Sequence, residues 1–69
     1  MILILAPNVQ SDSAEYRQLM DYLRQLPKIT TRVHVEHGAQ QVLTEIYLIG
    51  DTGTLSVEDM KSLPCVERV

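Results

Sequence analysis

Between Asp12 and Pro27 the apolar residues Tyr16, Leu19, Met20, Leu23 and Leu26 recur at steps of three and four, while Arg17, Gln18, Asp21, Arg24 and Gln25 fill the other positions. That spacing matches the turn of an α-helix and gives it one apolar stripe, which has to be covered by some other element. Asp12 with Glu15 three residues on reads as an approximate capping box at the helix start. Pro27 marks the stop, because proline disfavours helical geometry in the residue before it and has no N–H to donate.

The segments around this helix have the character of strands. Ile2 to Ala6 is a continuous aliphatic run ended by Pro7-Asn8, the pattern of an interior strand followed by a turn. Thr30 to His37 alternates, with Val33 and Val35 on one side and Arg32, His34 and Glu36 on the other, as expected of a half-buried strand. Gly38-Ala39-Gln40-Gln41 is a short connection to a third strand, Val42 to Ile49, so the pair reads as an antiparallel hairpin. In that third strand Thr44, Ile46 and Leu48 share a face opposite Glu45, Tyr47 and Ile49.

Gly50-Asp51-Thr52-Gly53 is a turn, after which Ser56 and Asp59 cap a second, shorter helix that carries Val57, Met60 and Leu63 inward and ends at Pro64. Cys65 to Val69 has the look of a fourth strand. No linker, internal repeat or low-complexity stretch interrupts the order. The sequence β-α-β-β-α-β predicts one α+β domain over residues 1–69, a ferredoxin-like sandwich with a four-stranded antiparallel sheet under two helices. One sheet face is then covered, and the other carries Arg32, His34, Glu36, Glu45 and Tyr47, a partly polar surface suited to another subunit or a ligand.

Sixty-nine residues leave room for one domain, and a domain of this size buries only about 60% of the surface its unfolded chain exposes, so association would help it. At 45% hydrophobic and 22% charged residues the chain has no signature of disorder. A net charge of -3, with Arg17, Arg24, Lys28, Arg32, Lys61 and Arg68 dispersed, argues against a nucleic-acid partner. The apolar start lacks a basic leader and is broken by Pro7, so it reads as a strand and not as a signal or membrane segment. Cys65 is the single cysteine, which forbids an internal disulfide and fits a reducing, cytoplasmic setting.

Catalytic patterns are missing from the sequence. Neither the hydroxyl residues nor Cys65 lies in a nucleophile elbow or dyad motif. His34 and His37, three apart on a strand, fall on opposite faces and cannot readily share a metal, and His37 beside Gly38 reads as a solvated turn residue. Ala6-Pro7-Asn8-Val9-Gln10 holds neither glycine nor a basic residue with which to cradle an oxyanion, which weakens an acylphosphatase reading. A metallochaperone needs Cys-x-x-Cys, and an RNA-binding sheet needs exposed aromatics among basic residues; the chain has neither. His34, flanked by Arg32 and Glu36 on its own face, is the residue best suited to hydrogen-bond a ligand.

Four segments carry a family resemblance: Met1-Ile2-Leu3-Ile4-Leu5-Ala6-Pro7, Val33-His34-Val35-Glu36-His37-Gly38, Ile46-Tyr47-Leu48-Ile49-Gly50-Asp51, and Ser62-Leu63-Pro64-Cys65-Val66-Glu67-Arg68-Val69. In order and spacing they resemble the N-terminal ferredoxin-like (ACT-like) domain of one class of 3-deoxy-D-arabino-heptulosonate 7-phosphate (DAHP) synthase, across nearly the whole chain. The resemblance implies a regulatory domain without activity or cofactor of its own. In that family it precedes a TIM barrel, with a divalent metal, that condenses phosphoenolpyruvate with erythrose 4-phosphate at the head of the shikimate pathway.

It also implies feedback control, in which regulatory domains of two subunits trap an aromatic amino acid and cover the barrel. The effector-binding residues it suggests are His34, Glu36, Arg32 and Tyr47. The family's strand carries a histidine followed two residues later by a serine; His34 matches the histidine, and Glu36 stands where the serine would be. A carboxylate there repels an effector's carboxylate unless Arg32 or a protonated His34 compensates, and it favours an ammonium. A stand-alone ACT-type amino-acid-binding module, or a pure dimerisation module, is the alternative the same fold allows.

Overall fold

The computed structural model describes residues 1–69 as β1 (Ile2–Leu5), α1 (Ala14–Arg24), β2 (Ile29–His37), β3 (Val42–Gly50), a single 3₁₀ turn (Thr52–Thr54), α2 (Val57–Lys61) and β4 (Val66–Arg68). The strands form one sheet in the order β2-β3-β1-β4, antiparallel at every junction. This is the expected ferredoxin-like α+β arrangement. Each β-α-β crossover skips one position, so β3 lies between the parallel pair β1 and β2, and β1 lies between β3 and β4.

Period-two alternation sorts the sheet into two faces. Leu3 and Leu5 from β1 and Ile46 and Leu48 from β3 meet Leu19, Met20 and Leu23 from α1 and Met60 from α2 in a single apolar core. The helix stripe thus packs as its spacing predicts. Its start, however, is one residue later than expected: Ser13 is the cap, its Oγ accepting from the Tyr16 N–H at 3.2 Å. The Ser13 N–H bonds back to the Gln10 carbonyl at 3.1 Å, and this turn leaves Asp12 outside the helix. The α2 cap is the one expected, Ser56 Oγ accepting from Asp59 N–H at 3.3 Å. That helix is a short one, closing at Lys61 before Pro64 is reached, and Val57 is turned outward at 44% exposure.

Two further bonds lock β1 against β3. The Met1 ammonium donates to the Leu48 carbonyl at 3.2 Å while Leu48 N–H donates to the Met1 carbonyl at 2.8 Å, extending the pairing past the strand end. Beyond the other end, Asn8 occupies left-handed backbone at φ 62, and there its N–H donates to the Val42 carbonyl and its Oδ1 accepts from the Val42 N–H, both at 2.8 Å. Asparagine is suited to both tasks, since it tolerates this backbone and its amide mimics a peptide group.

Both helices return to the sheet by the same local device. Leu26-Pro27-Lys28-Ile29 and Leu63-Pro64-Cys65-Val66 each place proline before a residue of positive φ, 61 at Lys28 and 54 at Cys65, and the next residue begins a strand. Proline at the second position and a left-handed third residue give a type II-like reversal. No internal repeat is evident on a reading of the sequence, yet a four-residue one links each helix to its strand.

Only nine residues are buried, and the accessible surface of 4658 Å² exceeds the roughly 4,400 Å² expected of a folded monomer of this mass. The excess comes with an elongated shape, 36 × 20 × 19 Å. On β2 the half-buried pattern expected from the alternation is not realised: Val33 and Val35 do face the helix side, opposite Ile46 and Thr44, but remain 42% and 43% exposed. The helices lie over the inner strands and leave the outer part of β2 bare.

Candidate functional site

The sheet face away from the helices is built in rows set by the strand register. One row runs Arg32, Tyr47, Ile2, since Arg32 pairs with Tyr47 and Tyr47 with Ile2. The next runs His34, Glu45, Ile4, Arg68, and a third pairs Glu36 with Leu43. All four candidate residues, Arg32, His34, Glu36 and Tyr47, therefore lie on one surface in adjacent rows. His34 Nε2 is 3.6 Å from Glu36 Oε2, with the two side chains 51% and 70% exposed. A contact so open to water is weak and leaves both groups available to a ligand.

The alternation of β3 already sets Tyr47 and Ile49 on this face; its β1 part, Ile2 and Ile4, was not legible in the sequence. Ile2 is 43% and Ile49 51% exposed, with Ile4, Leu43 and Tyr47 half-buried beside them. The expected interior strand at Ile2 to Ala6 is therefore interior to the sheet but covered on one side only. An unbroken aliphatic run has no period that would reveal which residues face the helices, so the surface role of Ile2 and Ile4 could not be read from it. Arg68 was missed for a related reason: a register irregularity between β1 and β4 brings it opposite Ile4.

Chemically, the face offers two guanidinium groups, Arg32 and Arg68, an imidazole, two carboxylates and an aromatic ring over an apolar floor. Such a set can hold a zwitterion with a hydrophobic side chain. No group of three or more His, Cys, Asp or Glu residues is gathered where it could hold a metal ion. His37 lies at the end of β2 on the opposite face from His34.

On the helix side an open cleft of about 240 Å³ is lined by Asn8, Gln10, Ser11, Tyr16, Val35 and Thr44, smaller than the usual small-molecule site of roughly 300 Å³ or more. Cys65, half-buried at the Leu-Pro-Cys-Val turn, has its thiol pKa pushed up, first by burial and secondarily by the Glu15 carboxylate. The thiol is accordingly protonated near neutrality and a poor nucleophile. Iodoacetamide at pH 7.5 is expected to label Cys65 several-fold more slowly than free cysteine, and Glu15→Gln is expected to accelerate labelling modestly. Labelling as fast as that of free cysteine would contradict this assignment.

Comparison of the chain with protein-family models, curated proteins and solved structures returned no match. No helix is long and apolar enough to cross a membrane.

Proposed function

We propose that this chain is a regulatory module that senses an aromatic amino acid on its uncovered sheet face and transmits the signal through association of two copies, as in the DAHP synthase domain its sequence resembles. The observation that supports this best is the convergence of His34, Glu36 and Arg32 beside Tyr47 and Ile2 in adjacent rows of one open face. On this reading Arg32 meets the effector carboxylate, Glu36 and Glu45 meet its ammonium, and the ring lies over Tyr47 and Ile2. Glu36, which departs from the family pattern, thereby takes the cationic end of the ligand. The physics of control is a population shift: an effector bound better by the associated arrangement than by the open one moves the equilibrium toward the former. Catalysis belongs to the enzyme the module serves.

Isothermal titration with L-tyrosine, L-phenylalanine and L-tryptophan, with sedimentation followed in parallel, tests the proposal. Binding of one of the three is expected, and His34→Ala should weaken it roughly tenfold by removing a hydrogen bond to a charged ligand. The same substitution should leave the thermal midpoint within about 2 °C, because the side chain lies outside the core. Unchanged affinity removes His34 from the site. A dimer indifferent to all three amino acids favours instead an assembly module, and robust DAHP synthase turnover by these 69 residues would refute the assignment of catalysis elsewhere.

A further inference from the structure

The two edges of the sheet are unlike. β4 is three residues long, whereas β2 presents nine residues, Ile29–His37, with no proline and no bulge in its ladder to β3. Natural edges are usually blunted by shortness, proline, a bulge, cover or charged side chains; of these β2 has only charges, and Arg32 and Glu36 are of opposite sign, so they can pair across a two-fold axis instead of repelling a second copy.

The direction of its backbone groups follows from the ladder. Gly38 N–H donates to the Gln41 carbonyl at 2.9 Å and Asp51 N–H to the Lys28 carbonyl at 3.2 Å, and the register between them is unbroken. Alternation then turns the N–H and C=O groups of Arg32, His34 and Glu36 toward β3 and those of Thr31, Val33 and Val35 outward. The outward set has no partner strand.

We infer that β2 is the surface on which a second copy of this chain docks, antiparallel and centred on His34, joining two sheets into one. The inference rests on the reading of the chain as a self-associating module and supplies its surface and register. With the two-fold axis at His34, Val33 of one protomer lies opposite Val35 of its partner, and the two exchange the outward backbone bonds. Arg32 then lies opposite the partner's Glu36, and Glu36 opposite the partner's Arg32. These fall at the non-hydrogen-bonded positions, where side chains across a ladder approach most closely.

The alternatives compatible with the outward groups are poorer. Centring on Val33 sets Arg32 against the partner's His34, and centring on Val35 leaves Arg32 opposite the partner's Gly38. The His34 register alone satisfies both charges of each strand while joining the exposed Val33 and Val35 pairs on the other face. It also brings the two His34 rows side by side on one continuous open face.

Sedimentation equilibrium of the full chain, without amino acid, is expected to show a monomer–dimer equilibrium that weakens with salt. Arg32→Glu and Glu36→Arg should each weaken dimerisation roughly tenfold or more, since both symmetric pairs become repulsive, and the double exchange should restore it to within about threefold. In a Cys65→Ser background, His34→Cys should oxidise to a disulfide-linked dimer, whereas Thr54→Cys should not. Circular dichroism separates loss of association from loss of folding. A dimer indifferent to both charge reversals would overturn the edge assignment while leaving self-association intact; a monomer at every concentration, with and without amino acid, would sink both.

Discussion

Gly50→Ala is expected to lower the thermal midpoint by roughly 15 °C or more, the largest effect of any single methyl group in this chain. Gly50 ends β3 at φ +128, a region that residues with a Cβ rarely enter, and a Cβ there would lie 2.3 Å from the Lys28 carbonyl oxygen. That oxygen belongs to backbone already engaged, since it accepts from Asp51 N–H at 3.2 Å where β2 and β3 diverge. Relief therefore requires breaking the end of the hairpin ladder or displacing the Lys28 turn, itself at positive φ. Backbone strain and the clash together cost on the order of 3 kcal/mol or more, against a total stability of roughly 3–10 kcal/mol for a domain of this size. Gly53→Ala is the control: a Cβ at Gly53 meets nothing within 4 Å, and the midpoint should barely move. Equal melting of Gly50→Ala and the parent chain, followed by circular dichroism, would mean that the turn is not built as described.

The second large effect separates two neighbouring residues of one strand. Leu3 is fully buried among the helix and sheet residues of the core, and Leu3→Ala is expected to cost about 2–5 kcal/mol, through lost burial and a cavity that a close-packed core only partly closes. Ile2, one residue earlier and on the open face at 43% exposure, should cost less than about 1 kcal/mol when changed to alanine. The contrast is informative because sequence patterning treats the two residues alike. Chemical denaturation of both variants at matched, dilute concentration measures the difference. Comparable losses would show that the open face is covered in the isolated chain.

The stability of this fold and the proposed mode of signalling are linked. With nine buried residues the domain has little to spare, so any partner that binds the native state adds to its apparent stability by mass action. The proposed second copy on the bare β2 edge and the proposed amino acid on the open face would both bind only the folded form. On this proposal the same surfaces that leave the monomer with excess exposed area are those through which an effector would bias association, which is the thermodynamic requirement for a switch.

Local patterning carried much of the fold. The stripe from Tyr16 to Leu26 made α1 and its buried face legible, the alternation from Arg32 to Glu36 placed three candidate site residues on one strand face while that from Val42 to Ile49 placed Tyr47, and Gly50-Asp51 marked the turn. It did not carry the helix start, because Asp12 and Ser13 are both competent caps and only the turn donated to Gln10 selects Ser13. Nor did it carry Asn8, whose amide bonds to Val42, thirty-four residues away in sequence.

What the sequence determined by itself is the type and order of the elements and the residues that share a strand face, because these depend on periodicities of 3.6 and 2 and on breakers acting over a few residues. The tertiary structure alone decided which of those faces is covered. The helices reach Leu3, Leu5, Ile46 and Leu48 but leave Val33 and Val35 bare, and Ile2 and Ile4 look away from them. Coverage is a property of where two layers overlap, set by helix length and crossover geometry, and no residue records it in its own identity.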